Sequence, residues 1–290
     1  MHRPVCITYD STCDLTPQLL ERFRIRTIPL TIQSGERVFP DDGSYTAADL
    51  YDGYRRDGTL PKTSAISPEE FRSFFSAILD EGFDIVHIDI SSDLSCTCQN
   101  AVMAAQELAD KGAIHVVDSR QLSTGGGLLA LQGAKLRDDG MAASDIAAEL
   151  RRLAPLSDTS FVLDTLEYMW KGGRCSGVTA LGANMLKLKP SLEIRDGKLV
   201  VCKKYRGAME KVYRQYVTER LADKAVVDDW AFITHSGEVS ENTLQELTAL
   251  VRELAPFKEV FITQAGCTVS SHCGPGTLGV LFLRQPAPAE

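Results

Sequence analysis

Short apolar runs in the first half of the chain each end in small polar residues and give way to a helical segment, a recurrence that leaves few folds open. Val5–Tyr9 reads as a buried strand that turns at Asp10-Ser11-Thr12 toward a helix opened by Thr16-Pro17, an N-cap with proline at the first helical position. Arg26–Ile32 reads as the next strand. Thr46 and Asp49 frame a helix start. Ser67-Pro68-Glu69-Glu70 is a capping box leading into the apolar stripe Phe71, Phe74, Phe75, Ile78 and Leu79, which stops at Gly82. Ile85–Ile90 and Ala113–Val117 are further apolar runs flanked by helical segments. Strand and helix therefore alternate as in a parallel α/β sheet, and right-handed crossovers bring the strand ends to one edge.

In such a sheet ligands are held in the crevice beyond the strand ends. Asp10-Ser11, Ser91-Ser92 and Asp118-Ser119 all follow expected strands. Hydroxyls and free backbone N–H groups at a helix start hold a carboxylate or phosphate without a metal. For Ser11 and Ser119, plain helix capping is an equally good reading. Ser95 is the stronger candidate, because it opens the helix expected to end near Gly112 and lies within the run Ser91-Ser92-Asp93-Leu94-Ser95-Cys96-Thr97. Thr63-Ser64 and the late segment His272-Cys273-Gly274-Pro275-Gly276 join it as an anion-holding set.

A charged helix ends at Pro155, and the character of the chain changes there. The expected division is a first α/β domain over residues 1–155, with a mainly parallel sheet flanked by helices, and a smaller α+β domain over residues 156–290. The chain's 290 residues suit two domains of ~100–200 residues each, with a ligand cleft at their junction. The second half opens with Phe161–Leu163 and a helix containing Tyr168-Met169-Trp170. Asp196-Gly197, between Ser191–Arg195 and Lys198–Lys204, is a two-residue hairpin signal. A helix over 207–222, a strand at Trp230–Thr234, a helix over 240–254 and strands at Val260–Gln264 and Leu278–Leu283 complete it.

Several functions are disfavoured. With 31 basic and 39 acidic residues the net charge is −8, unsuited to nucleic acid or an anionic membrane as main partner. No stretch approaches the ~20 apolar residues of a membrane span, and Met1-His2-Arg3-Pro4-Val5 runs into a strand without a signal-peptide core, so a cytoplasmic protein is expected. The 8 cysteines are too sparse for a disulfide scaffold, and Cys96-Thr97-Cys98 lacks the second ligand pair of a zinc site. Gly274-Pro275-Gly276-Thr277-Leu278-Gly279 matches G-x-G-x-x-G, but a strand follows it where a dinucleotide site needs a helix, so it reads as a tight turn. There is no phosphate loop of the G-x-x-x-x-G-K-[ST] type. A hydrolase using Ser95 and His272, with Asp10 or Asp118 orienting the imidazole, stays open, although no G-x-S-x-G elbow occurs. Lys171-Gly172-Gly173-Arg174 and Lys203-Lys204-Tyr205-Arg206 are basic spots that matter only if they border the cleft of Ser95.

These residues resemble the bacterial DegV family, whose members include fatty-acid-binding subunits of fatty acid kinase. The resemblance runs from about Val5 to Leu283. It is carried by Asp10-Ser11 with Asp14-Leu15, Thr63-Ser64 before Pro68, Ser91-Ser92-Asp93-Leu94-Ser95-Cys96-Thr97, Val117-Asp118-Ser119, Gly172-Gly173-Arg174, Lys189-Pro190 and His272-Cys273-Gly274-Pro275-Gly276. It implies one long-chain fatty acid buried between the two domains, its carboxylate held by Thr63, Ser64, Ser95 and Cys96 with His272 in the same network. It also implies a partner kinase subunit that uses ATP to phosphorylate the acid, with Arg174 and Arg206 facing that partner or the acyl phosphate. The chain itself would then be a carrier without catalytic residues, metal or cofactor; the alternative is an acyl hydrolase or transferase. The family's Ser-Gly-Thr reads Ser95-Cys96-Thr97 here, and its Gly-Gly-Arg-Ile reads Gly-Gly-Arg-Cys. Cys96 preserves the site if its backbone N–H is the needed donor and its φ is negative.

Overall fold

The computed structural model describes residues 3–175, 188–222 and 224–286. Its elements follow the alternation of the sequence closely at first. Strand β1 (Val5–Asp10) runs through a short 3-10 turn to α1 (Pro17–Arg22), whose N-cap is Thr16, and then to β2 (Ile25–Ile28). The strand expected over Arg26–Ile32 is in fact two. Pro29 offers no N–H to a ladder, and after it β3 (Thr31–Ser34) pairs in a different sheet with β4 (Arg37–Pro40) and β5 (Lys62–Ser64). Between β4 and β5 lies α2 (Ala47–Asp57), opened by a Thr46–Asp49 capping box. The Ser67–Glu70 box opens α3 (Pro68–Asp80). Then come β6 (Asp84–Asp89), α4 (Thr97–Glu107), which stops short of Gly112, β7 (Ile114–Asp118), α5 (Thr124–Asp138) and α6 (Ala143–Leu153).

β2, β1, β6 and β7 form a parallel sheet in that order. Period-two alternation divides its side chains: Cys6 and Ile85 face Phe71, Phe75 and Ile78 of α3, while Ile7, Val86 and Ile88 face α5 and α6. The second sheet has the order β10-β9-β8-β13-β11-β12. Its strands are β8 (Ser157–Val162), β9 (Lys189–Arg195), β10 (Lys198–Tyr205), β11 (Val226–His235), β12 (Glu259–Gln264) and β13 (Leu278–Arg284), antiparallel except for the β11–β12 pair. The Asp196-Gly197 hairpin turns with φ of 49° and 82°. α7 (Glu167–Gly172) precedes β9, α8 (Met209–Leu221) and α9 (Glu241–Leu254) cover the outer face, and α10 (Cys267–Cys273) follows β12. Sequence reading did not find α10 or β4.

The molecule is thus layered: α3 and α4, the parallel sheet, α5 with α6, the mixed sheet, then α8 and α9. α5 is the shared layer. Leu128, Leu129 and Leu131 lie in one cluster with Ile7 and Val86 of the first sheet and Phe232 and Leu281 of the second. Glycines at its start permit the close approach, since a Cβ at Gly125 would run into Thr159 of β8 and one at Gly126 into Tyr9 of β1. The proposed division at residue 155 falls where the chain leaves the first sheet for β8, but the apolar cluster crosses it.

Candidate functional site: a cavity between the sheets

A cavity of about 350 Å3 opens where β5 and the ends of β2 and β6 meet α7, β10 and α10. Its walls are apolar: Leu30, Ile90, Leu94, Leu122, Met169, Leu199 and Val269. Its polar lining residues are Thr63, Ser64, Ser95, Cys96, Arg174, Thr268 and His272, of which all but Thr268 were expected from the sequence. The fold brings those six to one cavity from four separate segments. Arg206 is not among the lining residues. It borders a separate surface cleft with Lys203, Lys204 and Tyr205 at the far end of β10, so only one of the two basic spots meets the condition of sharing the cleft of Ser95.

Ser95 Oγ lies 2.7 Å from Thr97 Oγ1 and accepts from Thr97 N at 3.2 Å, which fixes its rotamer at the start of α4. Cys96 precedes the helix with φ −78° and ψ 3°, a right-handed backbone in which a Cβ costs nothing, and its side chain is exposed. Thr63 Oγ1 lies 3.1 Å from His272 Nε2. His272 Nδ1 is buried and has no hydrogen-bond partner among the described residues. A proton on Nε2 leaves only a lone pair unmatched at Nδ1, the cheaper arrangement. Nε2–H then donates to Thr63, whose own hydroxyl proton is free to point into the cavity. Burial, reinforced by the Arg174 charge, lowers His272 to about 4, so the imidazole is neutral at pH 7. Gly172 makes room for it, because a Cβ there would collide with Nδ1. That collision gives a physical reason for glycine in Gly172-Gly173-Arg174.

The helix carrying His272 is seated by carboxylates from the other end of the chain. The residue before α10 is Gly266, which has no side chain to cap the helix. Asp41 instead accepts from Cys267 N at 2.8 Å and Thr268 N at 3.1 Å, and Asp14 accepts from Gly266 N at 2.8 Å. Both are buried, and burial raises Asp14 well above its ordinary value. Asp41 went unnoticed in the sequence; no local pattern marks a cap supplied across more than two hundred residues. The other strand-end hydroxyls are occupied internally. Ser11 donates to Asp41 at 3.3 Å, Ser91 donates to the Gly197 carbonyl at 2.8 Å, and Ser119 accepts from Tyr9 at 3.2 Å.

A Ser–His–Asp hydrolase is not assembled. His272 bonds Thr63 and not Ser95, and no carboxylate meets its Nδ1. Asp10 accepts from Thr12 N at 2.7 Å and Ile90 N at 2.8 Å, and Asp118 accepts from Ser92 N at 3.2 Å and Arg120 N at 2.8 Å, so both are engaged elsewhere. Gly274 and Gly276 adopt φ of 78° and 68° in the turn before β13, and a Cβ on either would run into Tyr168 or Asp164. Among the described residues no group of acidic, histidine and cysteine side chains is placed to hold a metal, and no helix is long and apolar enough to cross a membrane.

Fold and site together define a mixed α/β protein with an apolar-walled cavity that also carries hydroxyls, an imidazole and the Arg174 guanidinium. The family model for uncharacterised proteins of the DegV family matches residues 4–285, and the chain belongs to that family. A DegV domain-containing protein of Deinococcus radiodurans is 30% identical over 282 residues, 95% of this chain and 97% of the relative. A DegV family protein of Thermus thermophilus, solved in work on its fatty acid binding, matches with TM-score 0.86 and 29% identity over 97% of this chain and 100% of its own. A protein of Thermotoga maritima whose structure reveals a fatty acid binding function matches with TM-score 0.84 and 25% identity, over 98% of this chain and 100% of its own.

Proposed function

We propose that this protein binds one long-chain fatty acid in the cavity, its tail along the apolar walls and its carboxylate between Ser95 and Thr63. The observation that carries the reading is the make-up of the cavity, apolar walls with a small set of hydroxyls and an imidazole among them. Apolar burial at ~25 cal/mol per Å2 supplies affinity, while the hydroxyls fix orientation and meet a carboxylate that is costly to bury unpaired. Fatty acid binding by the Thermus and Thermotoga proteins supports it. Organic extraction of the purified protein followed by mass spectrometry tests it: one free fatty acid per chain is expected. Ligand-free protein that also fails to bind added long-chain acids would sink the proposal. Turnover of acyl esters would instead favour a hydrolase or transferase, against which the Thr63–His272 pairing speaks.

The finer reading is that the protein is a carrier whose bound carboxylate is presented to an ATP-dependent kinase subunit and leaves as an acyl phosphate. Arg174 suits that step, being exposed and lining the cavity with its guanidinium donating to the Gly172 carbonyl at 2.7 Å. Arg174→Glu is expected to slow phosphorylation of the bound acid by a cognate kinase while leaving acid binding nearly intact. Arg206, remote from the cavity, would act only through contact with the partner. Unchanged phosphorylation in both charge reversals refutes the role.

A further inference from the structure

Thr268, in the first turn of α10, lines the cavity and is buried, and its Oγ1 has no hydrogen-bond partner among the described residues. The other hydroxyls of α10 are satisfied by nearby backbone. Ser270 donates to the Ala265 carbonyl at 3.1 Å, and Ser271 donates to the Thr268 carbonyl at 2.9 Å. Neither of these two serines lines the cavity. The hydroxyl that borders the ligand space is thus the one left unmatched.

The main chain of Thr268 is held on both sides. Its N–H donates to Asp41 at 3.1 Å, and its carbonyl accepts from Ser271. The freedom that remains is in the side-chain torsion. A helical threonine divides between two χ1 wells, so the hydroxyl can turn to the cavity when a ligand group is there to meet it. A buried hydroxyl without a partner loses the hydrogen bonds that water gave it in the unfolded chain. A wall built only for a hydrocarbon tail gains nothing from that cost, since valine has the same shape without the hydroxyl. Thr268 and His272 are four residues apart and share one face of α10, where long side chains lean toward the helix N-terminus. The unmatched hydroxyl therefore stands within one helical turn of the Thr63–His272 pair while bonding neither member.

Resting on the fatty-acid reading above, we infer that Thr268 selects acids hydroxylated on one of the first carbons after the carboxylate, its Oγ1 hydrogen-bonding the ligand hydroxyl. A hydroxyl is the group that fits, because both partners can donate or accept and the pair forms whichever way their other bonds run. An acid without it leaves the buried Thr268 oxygen unpaired, and sites of this kind discriminate by that penalty. The preference expected is roughly two- to tenfold in affinity, the worth of one neutral hydrogen bond.

The test is a calorimetric titration of the full-length protein, stripped of lipid, with palmitic acid and with its derivatives hydroxylated on the second, the third or a mid-chain carbon. Wild type is expected to prefer the second- or third-carbon derivative, and Thr268→Val to lose that preference by roughly two- to tenfold. Thr268→Val should bind palmitic acid at least as tightly as wild type does, which also shows that the variant is folded. Thr268→Ser, which keeps the hydroxyl, should keep the preference. A ratio of wild-type to Thr268→Val affinity that is the same for every acid overturns the selection and leaves the fatty-acid reading standing; if that common ratio is a loss, Thr268 meets the carboxylate instead. A preference confined to the mid-chain derivative overturns the placement near the carboxylate. Failure of wild-type protein to bind any acid overturns both readings.

Discussion

At the scale of single residues the proposed head-group site rests on two hydroxyls that are held before a ligand arrives. Ser95 is held by Thr97 at 2.7 Å, and Thr63 by His272 at 3.1 Å. Ser95→Ala should weaken acid binding by roughly 1.5–3 kcal/mol, the worth of a charge-assisted hydrogen bond, as read by isothermal titration. Cys96→Gly should change it little, because residue 96 already has φ −78° and only its backbone is needed. A loss at Cys96→Gly equal to that at Ser95→Ala would mean that the thiol itself touches the ligand. His272 gives a pH signature. Its folded value of about 4, set by burial and then Arg174, lies below the ordinary 6.5. The unfolded chain therefore takes up a proton near 6.5 that the folded protein resists until about 4, and this part of the stability is full above 6.5 and lost as pH falls toward 4. Urea midpoints measured across that window should fall more steeply with acid in wild type than in His272→Asn. Parallel curves would show that the imidazole is not the group responsible.

At the scale of elements, α10 is seven residues long and its backbone is anchored from outside by Asp41 and Asp14. Removing such a cap costs about 0.5–2 kcal/mol. Asp41→Ala should lower the urea midpoint accordingly and also weaken acid binding, since the anchored helix carries His272 and Val269 into the cavity. Ser95→Ala should weaken binding with little effect on the midpoint. Loss of stability in Asp41→Ala with unchanged affinity would separate α10 seating from the site. The same anchoring explains what the sequence hid. The parallel strands were legible because Val5–Tyr9 and Ile85–Ile90 are nearly continuous apolar runs, and α2 and α3 because Thr46–Asp49 and Ser67–Glu70 are caps written locally. α10 has neither an apolar repeat nor a local cap. β5 is only three polar residues, Lys62–Ser64, that pair with β3, and the break between β2 and β3 turns on Pro29. Six of the polar lining residues were readable as types, and through the family resemblance as a set, while Thr268 was not. The apolar wall was not, because Leu30, Leu122 and Leu199 come from loops and strand ends with no shared periodicity.

At the scale of the whole molecule, the cavity is roofed and floored by both halves of the chain: Thr63 and Ser95 come from the first, Arg174, Leu199 and His272 from the second. The halves also share an apolar cluster through α5, with Trp230 and Phe232 beside Leu131 and Val86. A protein whose two sheets bury the same helix should unfold as one unit even if residues 1–155 and 156–290 are counted as two domains. Tryptophan emission, dominated in its change by buried Trp230 because Trp170 is already 58% exposed, should therefore follow the same urea transition as far-UV circular dichroism. If the fatty acid occupies the cavity as proposed, a saturating concentration should move that single transition upward without splitting it. At a free concentration one hundred times Kd the gain is about 2.7 kcal/mol. Two resolved transitions, with ligand shifting only one of them, would mean that the cluster around α5 does not couple the sheets and that the acid is held by one half alone.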